Sequence, residues 1–262
     1  MKYKGVLHIH SKHSYDGKVP LTELKKLFTE KGLSFACMTE HADTLTPKTA
    51  ARFVAECREL SDESFVFVPG FEVPYKDAHI LHIGATEFTS QFADKETLKV
   101  WREKTSLVVL AHPVRNKFII DEVMEGCIDG VEIWNQQYEG KVMARPRSMK
   151  LLRELRNKKS LIATGGLDLH RVEHMGSPIT EIEASELSES SIVNALKSGS
   201  FQFGNGNKKL EARTNWQPTF SEKKASFMAI VIIEAGKKVN AFLASLGLSL
   251  PKSLRKSIRA RV

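Results

Sequence analysis

Short apolar runs alternate with longer amphipathic stretches along roughly the first 200 positions of the chain. Val6 to His10, Phe35 to Thr39, Phe65 to Val68, Ile80 to Ala85, Leu107 to Ala111, Val131 to Trp134, Leu161 to Thr164 and Ile179 to Ile182 are rich in β-branched and aromatic residues, which predicts strands. Helical patterns separate them. Pro20 opens LTELKKLFTEKG, with Gly32 placed to end the helix, and Thr46-Pro47 opens KTAARFVAECREL with a capping residue followed by a proline at the first helical position. Similar patterns cover Pro146 to Lys159 and Glu189 to Ser198. The repeated strand–helix order predicts an α/β fold on a parallel sheet. No G-x-G-x-x-G or Walker pattern marks a doubly wound nucleotide binder, so a closed barrel is the expected arrangement.

The character of the chain changes after Phe203. From Ser221 to Leu246, Met228, Ile232, Ala235, Val239, Phe242 and Leu246 recur at steps of three and four, forming one apolar helical stripe expected to pack on the barrel's helices. The last dozen residues, PKSLRKSIRARV, are basic. With 262 residues, 42% of them hydrophobic, the chain can fill one large domain or two small ones. No window reaches the ~18 to 20 consecutive apolar residues of a spanning helix, and MKYKGVLHIH lacks a signal-peptide core. A cytoplasmic location is the expectation. Cys37, Cys57 and Cys127 form no C-x-x-C pair, which argues against a disulfide framework and a thiolate zinc site.

The formal charge of +8 suggests a nucleic-acid partner until it is divided along the chain. Residues 208–262 hold 12 Lys and Arg against 3 Asp and Glu, a net of +9, which leaves about −1 for residues 1–207. The reading is therefore a near-neutral barrel over 1–207 and a basic, partly helical C-terminal extension over 208–262. Three roles fit the extension: a packed helix with a solvated face, a nucleic-acid-binding arm, or an amphipathic helix on a membrane surface.

Histidines and carboxylates gather at the predicted strand ends. His8 and His10 are two apart on the first strand, so strand alternation points both imidazoles to one side. Asp168 and His170 repeat the device in GGLDLH, where the glycines let the backbone approach closely. Between them come Glu40-His41, Glu72 in PGFE, His79 and His82 in HILHIG, and His112 in AHP, each read as lying at or just beyond a strand's C-terminal end, where barrels of parallel strands assemble active sites. One such histidine is ordinary. So many ionisable groups at separate strand ends would be too costly to bury without a shared partner, and nitrogen and oxygen donors without sulfur suit zinc, manganese or iron. His13 and His174 read as exposed loop histidines.

Together HIHSKHSYDG, TEHAD, PGFE, HILHIG, AHP, VEIWN and GGLDLH, in that order over residues 5 to about 205, resemble the polymerase and histidinol phosphatase (PHP) family of metal-dependent phosphoesterases. The resemblance implies a distorted seven-stranded (β/α) barrel with two to three divalent metal ions at one face. It implies His8, His10, Glu72 and Asp168 around one ion. Glu72 would bridge to a second held by His79 and His112, and Asp16, His41 and His170 would hold a third. Leu167 stands where the family often has Ser. His79 and His82 lie three apart and face opposite ways, and the H-x-L-x-x-G form selects His79.

The implied reaction is hydrolysis of phosphate mono- or diesters by a metal-activated water. Arg115 and Arg171, next to ligand motifs, are expected to bind phosphate and to act with Glu72, Asp168 and His112 in catalysis; Arg145 and Arg147 are further candidates. The expected substrate is a nucleotide, a short nucleic acid or a small phosphorylated metabolite. The alternatives are an amidohydrolase acting on C–N bonds, for which no bridging lysine can be placed, and a non-catalytic metal-stabilised binding module.

Overall fold

A computed structural model describes residues 1–245 of the chain, without the side chains of Asn240 and Ala244. From the N-terminus, β1 (Lys2–Ile9) leads through the loop carrying Asp16 to α1 (Leu21–Glu30), β2 (Phe35–Met38) and the short β3 (Glu40–His41). Next come α2 (Pro47–Leu60), β4 (Val66–Val68), β5 (Gly70–Tyr75) and β6 (Ala78–Ile83). α3 (Lys95–Glu103), β7 (Leu107–Leu110), α4 (Glu122–Cys127), β8 (Gly130–Asn135), α5 (Gln136–Glu139), α6 (Pro146–Arg156) and β9 (Ile162–Gly166) follow. The described chain closes with β10 (Ile179–Glu183), α7 (Glu189–Ser198), β11 (Phe201–Gly204), β12 (Lys209–Glu211) and α8 (Phe220–Ser245).

Local chemistry accounts for the helix starts. Thr46 caps α2 by accepting the Thr49 N–H at 3.2 Å, with Pro47 at the first helical position, and Asp94 caps α3 by accepting the Thr97 N–H at 2.8 Å. α1 buries Leu21, Leu24 and Phe28, three and four residues apart, and Gly32 at φ +69° lets the chain leave it. β7, whose LVVL is wholly buried, has both faces covered and shows no alternation.

The strands form two six-stranded sheets, ordered β12-β11-β10-β1-β2-β4 and β3-β5-β6-β7-β8-β9. Both are mixed, which corrects the expectation of a parallel sheet. β1/β2, β2/β4, β3/β5, β7/β8 and β8/β9 are parallel, whereas β5/β6, β6/β7, β1/β10, β10/β11 and β11/β12 are antiparallel. Between β5 and β6 the connection itself dictates this: only Lys76 and Asp77 separate the strands, and so short a link permits antiparallel pairing alone. The two sheets adjoin where β1 runs beside the chain leaving β9. There the Leu167 N–H donates to Leu7 O and the His10 N–H to Leu169 O, both at 2.9 Å.

α8 departs further from expectation. The body buries its Ser226 and Ala229, while Met228, Ile232, Val239 and Phe242 of the apolar stripe remain exposed. Small side chains let the helix come close to its support, and the bulky ones are left on the far side. Leu246 and the basic residues Lys252, Arg255, Lys256, Arg259 and Arg261 lie outside the described residues.

Candidate metal centre

The seam between the sheets carries the first cluster. β1 pairs Leu7 with Cys37 and Ile9 with Met38, so His8 is the extra residue of a bulge, at φ +63°. Its ring lies 5.2 Å from that of His10. Both Nε2 atoms face Glu72 Oε2, at 3.4 and 3.2 Å, and Asp168 Oδ1, at 3.7 and 3.6 Å. Asp168 (φ +51°) and His112 (φ +21°) share the left-handed backbone, which is unfavourable for non-glycine residues and is held here by the surrounding hydrogen bonds.

Glu72 lies inside β5, not beyond a strand end, and its two oxygens face different neighbours. Oε1 meets His79 Nδ1 at 2.5 Å and His112 Nε2 at 3.0 Å, while Oε2 meets His8, His10 and, at 3.2 Å, His41 Nδ1. At the outer edge Asp16 lies 3.0 Å from His170 Nε2 and 3.5 Å from His41 Nε2. The structure thus brings His8, His10, Asp16, His41, Glu72, His79, His112, Asp168 and His170 into one continuous cluster.

His79 is the second residue of β6, not a residue at its C-terminal end. Because β6 runs antiparallel to β5 and β7, its entry end meets the exit ends of their parallel neighbours. His82 points the other way: its Nδ1 donates to Thr105 Oγ1 at 3.0 Å, and its ring lies 5.0 Å from Trp101.

Burial and charge compete throughout the cluster. Burial alone would raise Glu72, but the charges of His79 and His8 hold its carboxyl well below the usual range. Burial pushes His10 down to about 3. It also opposes protonation of His8, yet the carboxylates of Glu132, Asp168 and Glu72 outweigh it and raise that imidazole. Asp16 is held low by hydrogen bonds from His170 and His41 against the effect of burial.

Sequence reasoning gave no orienting role to the residues that hold this cluster in place. Glu132 accepts from His8 Nδ1 at 3.0 Å, from the His112 N–H at 2.8 Å and from Asn135 Nδ2 at 2.9 Å. Its signal was an acidic residue inside the otherwise apolar VEIW run. Glu40 accepts from the Ser11 N–H and from Ser14 Oγ, whose oxygen in turn accepts the His41 N–H at 2.9 Å. Tyr138 lays its ring 5.0 Å from His112, and burial pushes its hydroxyl up to about 12.

The arginines divide. Arg115 is exposed at the rim beside Tyr138, and Arg171 is also exposed. Arg145 is tied to Glu139 at 2.7 Å and Arg147 lies over the Phe118 ring, so both serve local packing. His13 is half-buried against Glu56 at 2.8 Å, and His174 Nδ1 accepts the His170 N–H at 3.3 Å; neither is a free loop histidine.

Several buried polar atoms face the centre of the cluster without a hydrogen-bond partner: His8 Nε2, His10 Nε2 and Glu72 Oε2. Each would cost about 1–3 kcal/mol if left so. The clusters His8–His10–Glu72, His8–His112–Asp168, His41–Glu72–His79 and His10–His41–His170 each hold donor atoms within 4.8 Å of one another. Overlapping nitrogen and oxygen donors of this kind fit a metal site.

A search of curated protein sequences finds no match. Among solved structures, a two-domain protein from Bacteroides vulgatus containing a predicted PHP-like metal-dependent phosphoesterase superposes with a TM-score of 0.59 at 16% identity, covering 87% of this chain and 69% of that one. PsfC from Pseudomonas syringae gives 0.56 at 14% identity, covering 89% and 98%. Endonuclease Q, in complex with a 27-mer duplex carrying an abasic lesion at the active site, gives 0.52 at 15% identity, covering 76% and 57%. At these identities the likeness is one of fold. The PHP domain model matches residues 7–214, which take in every member of the cluster, and the chain belongs to the PHP domain family.

Proposed function

We propose that the protein hydrolyses phosphate mono- or diesters, of a nucleotide, a short oligonucleotide or a small phosphorylated metabolite, with two or three divalent metal ions. The observation that carries this reading is the set of buried, unpartnered nitrogen and oxygen atoms converging on Glu72. His8, His10, Glu72 and Asp168 would hold one ion, Glu72 with His79 and His112 a second, and Asp16, His41 and His170 a third. The hydrogen bonds joining β1 to the chain after β9 support the two sheets as walls of a distorted (β/α)7 barrel.

Bound zinc, manganese or iron supplies an activated water and a Lewis acid for phosphoryl oxygens. The protein supplies the rest. Glu132 fixes the His8 imidazole, and Glu40 acts through Ser14 to hold the His41 backbone. Tyr138, neutral at physiological pH, keeps a phenolic proton to donate to a substrate oxygen beside His112. Arg115 and Arg171, exposed next to His112 and His170, offer planar donors to the phosphate. Endonuclease Q is a neighbour in fold that acts on DNA, which supports including nucleic acids among the substrates.

The test is to strip the full chain of metal, reload it with manganese, zinc or iron, and measure both metal content and turnover on phosphomonoesters, dinucleotides and single-stranded oligonucleotides. Two or more ions per chain and hydrolysis of at least one class are expected, with Glu72→Ala more than about tenfold slower, or over ~1.4 kcal/mol of transition-state stabilisation lost. Less than one ion per chain, or full activity in Glu72→Ala, overturns the reading.

A further inference from the structure

The outward face of α8 is apolar. Phe227, Met228, Val231, Ile232, Val239 and Phe242 are each between 40% and 65% exposed, while the helix meets the body through Ser226 and Ala229. At about 100° per residue the six fall on one side of the helix, opposite the buried contact. Exposed Lys223, Lys224 and Lys238 border or interrupt that side. Exposed apolar side chains gathered on one side of a surface helix mark a site of contact.

Charge decides what covers it. Residues 208–262 carry a net of +9 and the remainder of the chain about −1. A second copy of the chain would bring the same basic segment face to face with itself across a two-fold contact. Nucleic acid would satisfy the lysines, but its phosphates offer nothing to Val231, Ile232 or Val239. An anionic bilayer surface meets both requirements at once, with negative headgroups for the lysines and acyl chains for the stripe. No described helix is long and apolar enough to cross a membrane, so α8 suits a place in the interface plane.

We propose that α8 docks the protein on an anionic membrane surface, with Phe227, Val231 and Phe242 inserted at the acyl boundary and the lysines at the headgroups. α8 also packs on α5, and Lys237 lies 4.5 Å from the Tyr138 ring. Docking therefore holds the rim of the metal centre close to the bilayer.

The full chain is floated with vesicles of phosphatidylcholine alone and of phosphatidylcholine with about 30% phosphatidylglycerol, at low and high salt. Association with the anionic vesicles only, weakened by salt, is expected. The Phe227→Asp/Val231→Asp variant should reduce it at least about tenfold, and Lys223→Gln/Lys224→Gln/Lys238→Gln should lower the preference for anionic lipid. Both variants alter exposed side chains, and their circular dichroism and thermal melting should match the parent, separating lost docking from misfolding. Equal association with both vesicle types, no association with either, or binding untouched in the Phe227→Asp/Val231→Asp variant overturns the proposal. So does a parent dimer in sedimentation that this variant converts to monomer, which would assign the stripe to a second copy.

Discussion

His82 provides a quantitative check on which histidines belong to the centre. Thr105 Oγ1 donates to Trp101 O at 2.7 Å, so toward His82 the hydroxyl can only accept, and the imidazole carries its proton on Nδ1. Nε2 is then bare, buried and without a partner. Burial, reinforced by the nearby Arg102 charge, pushes the pKa from 6.5 down to about 3. The folded value lies below the unfolded one, so below pH 6.5 the unfolded chain takes up a proton that the folded chain refuses. The associated stability is complete above about pH 6.5 and falls as the pH drops toward about 3. At pH 5.0 the loss is about 1.5 pH units at ~1.36 kcal/mol each, or ~2 kcal/mol.

The substitution His82→Asn keeps an amide donor for Thr105 and removes the titrating ring. At pH 7.5 it should destabilise by roughly 1–3 kcal/mol through the lost packing against Trp101. Between pH 7.5 and 5.0, however, it should lose ~2 kcal/mol less than the parent. Urea unfolding at both pH values measures this, and the difference of differences cancels the other titrating groups, which both proteins share. Metal content should be unchanged, whereas His79→Asn should lower it. Identical acid sensitivity in parent and variant, within about 0.5 kcal/mol, would refute the assignment of a neutral, buried His82. So would loss of metal from His82→Asn with retention in His79→Asn.

Two further substitutions probe the support of the cluster. Glu132→Gln removes the negative acceptor from His8 Nδ1 and puts an amide in its place; metal affinity should fall roughly 10- to 100-fold in a titration with a competing chelator, with the fold retained by circular dichroism. Gly166→Ala would set a methyl group 2.1 Å from Glu132 Oε1 and 2.6 Å from His8 Cβ, so it should displace both and lower metal content and melting temperature together; unchanged values for both would show that this backbone position has room to give.

Much of the molecule was legible before any fold was known, because its signals are local. The Thr46-Pro47 cap, the glycine after α1 and the buried spacing of Leu21, Leu24 and Phe28 are properties of a few adjacent residues. So is α7, which runs from Glu189 to Ser198 as its pattern indicates. Strand alternation separated His79 from His82, since opposite faces of a strand require no knowledge of its neighbours.

Pairing between distant segments is a different kind of information. That β6 turns back beside β5 decides that His79 enters the cluster from the start of its strand, and the sequence shows only a short link between two apolar runs. Glu132 lies inside an apolar run; its role exists only because β8 passes His8 on β1, 124 residues away. The stripe on α8 shows the same limit in reverse. A period of three and four residues states that one side of a helix is apolar, but which side meets the body depends on the shape of the support, and here the small residues Ser226 and Ala229 fit it closely. By itself the sequence determined many of the elements, the gathering of nitrogen and oxygen side chains, and the uneven charge. Tertiary structure alone decided which faces meet, because packing free energy belongs to surfaces assembled from residues far apart in the chain.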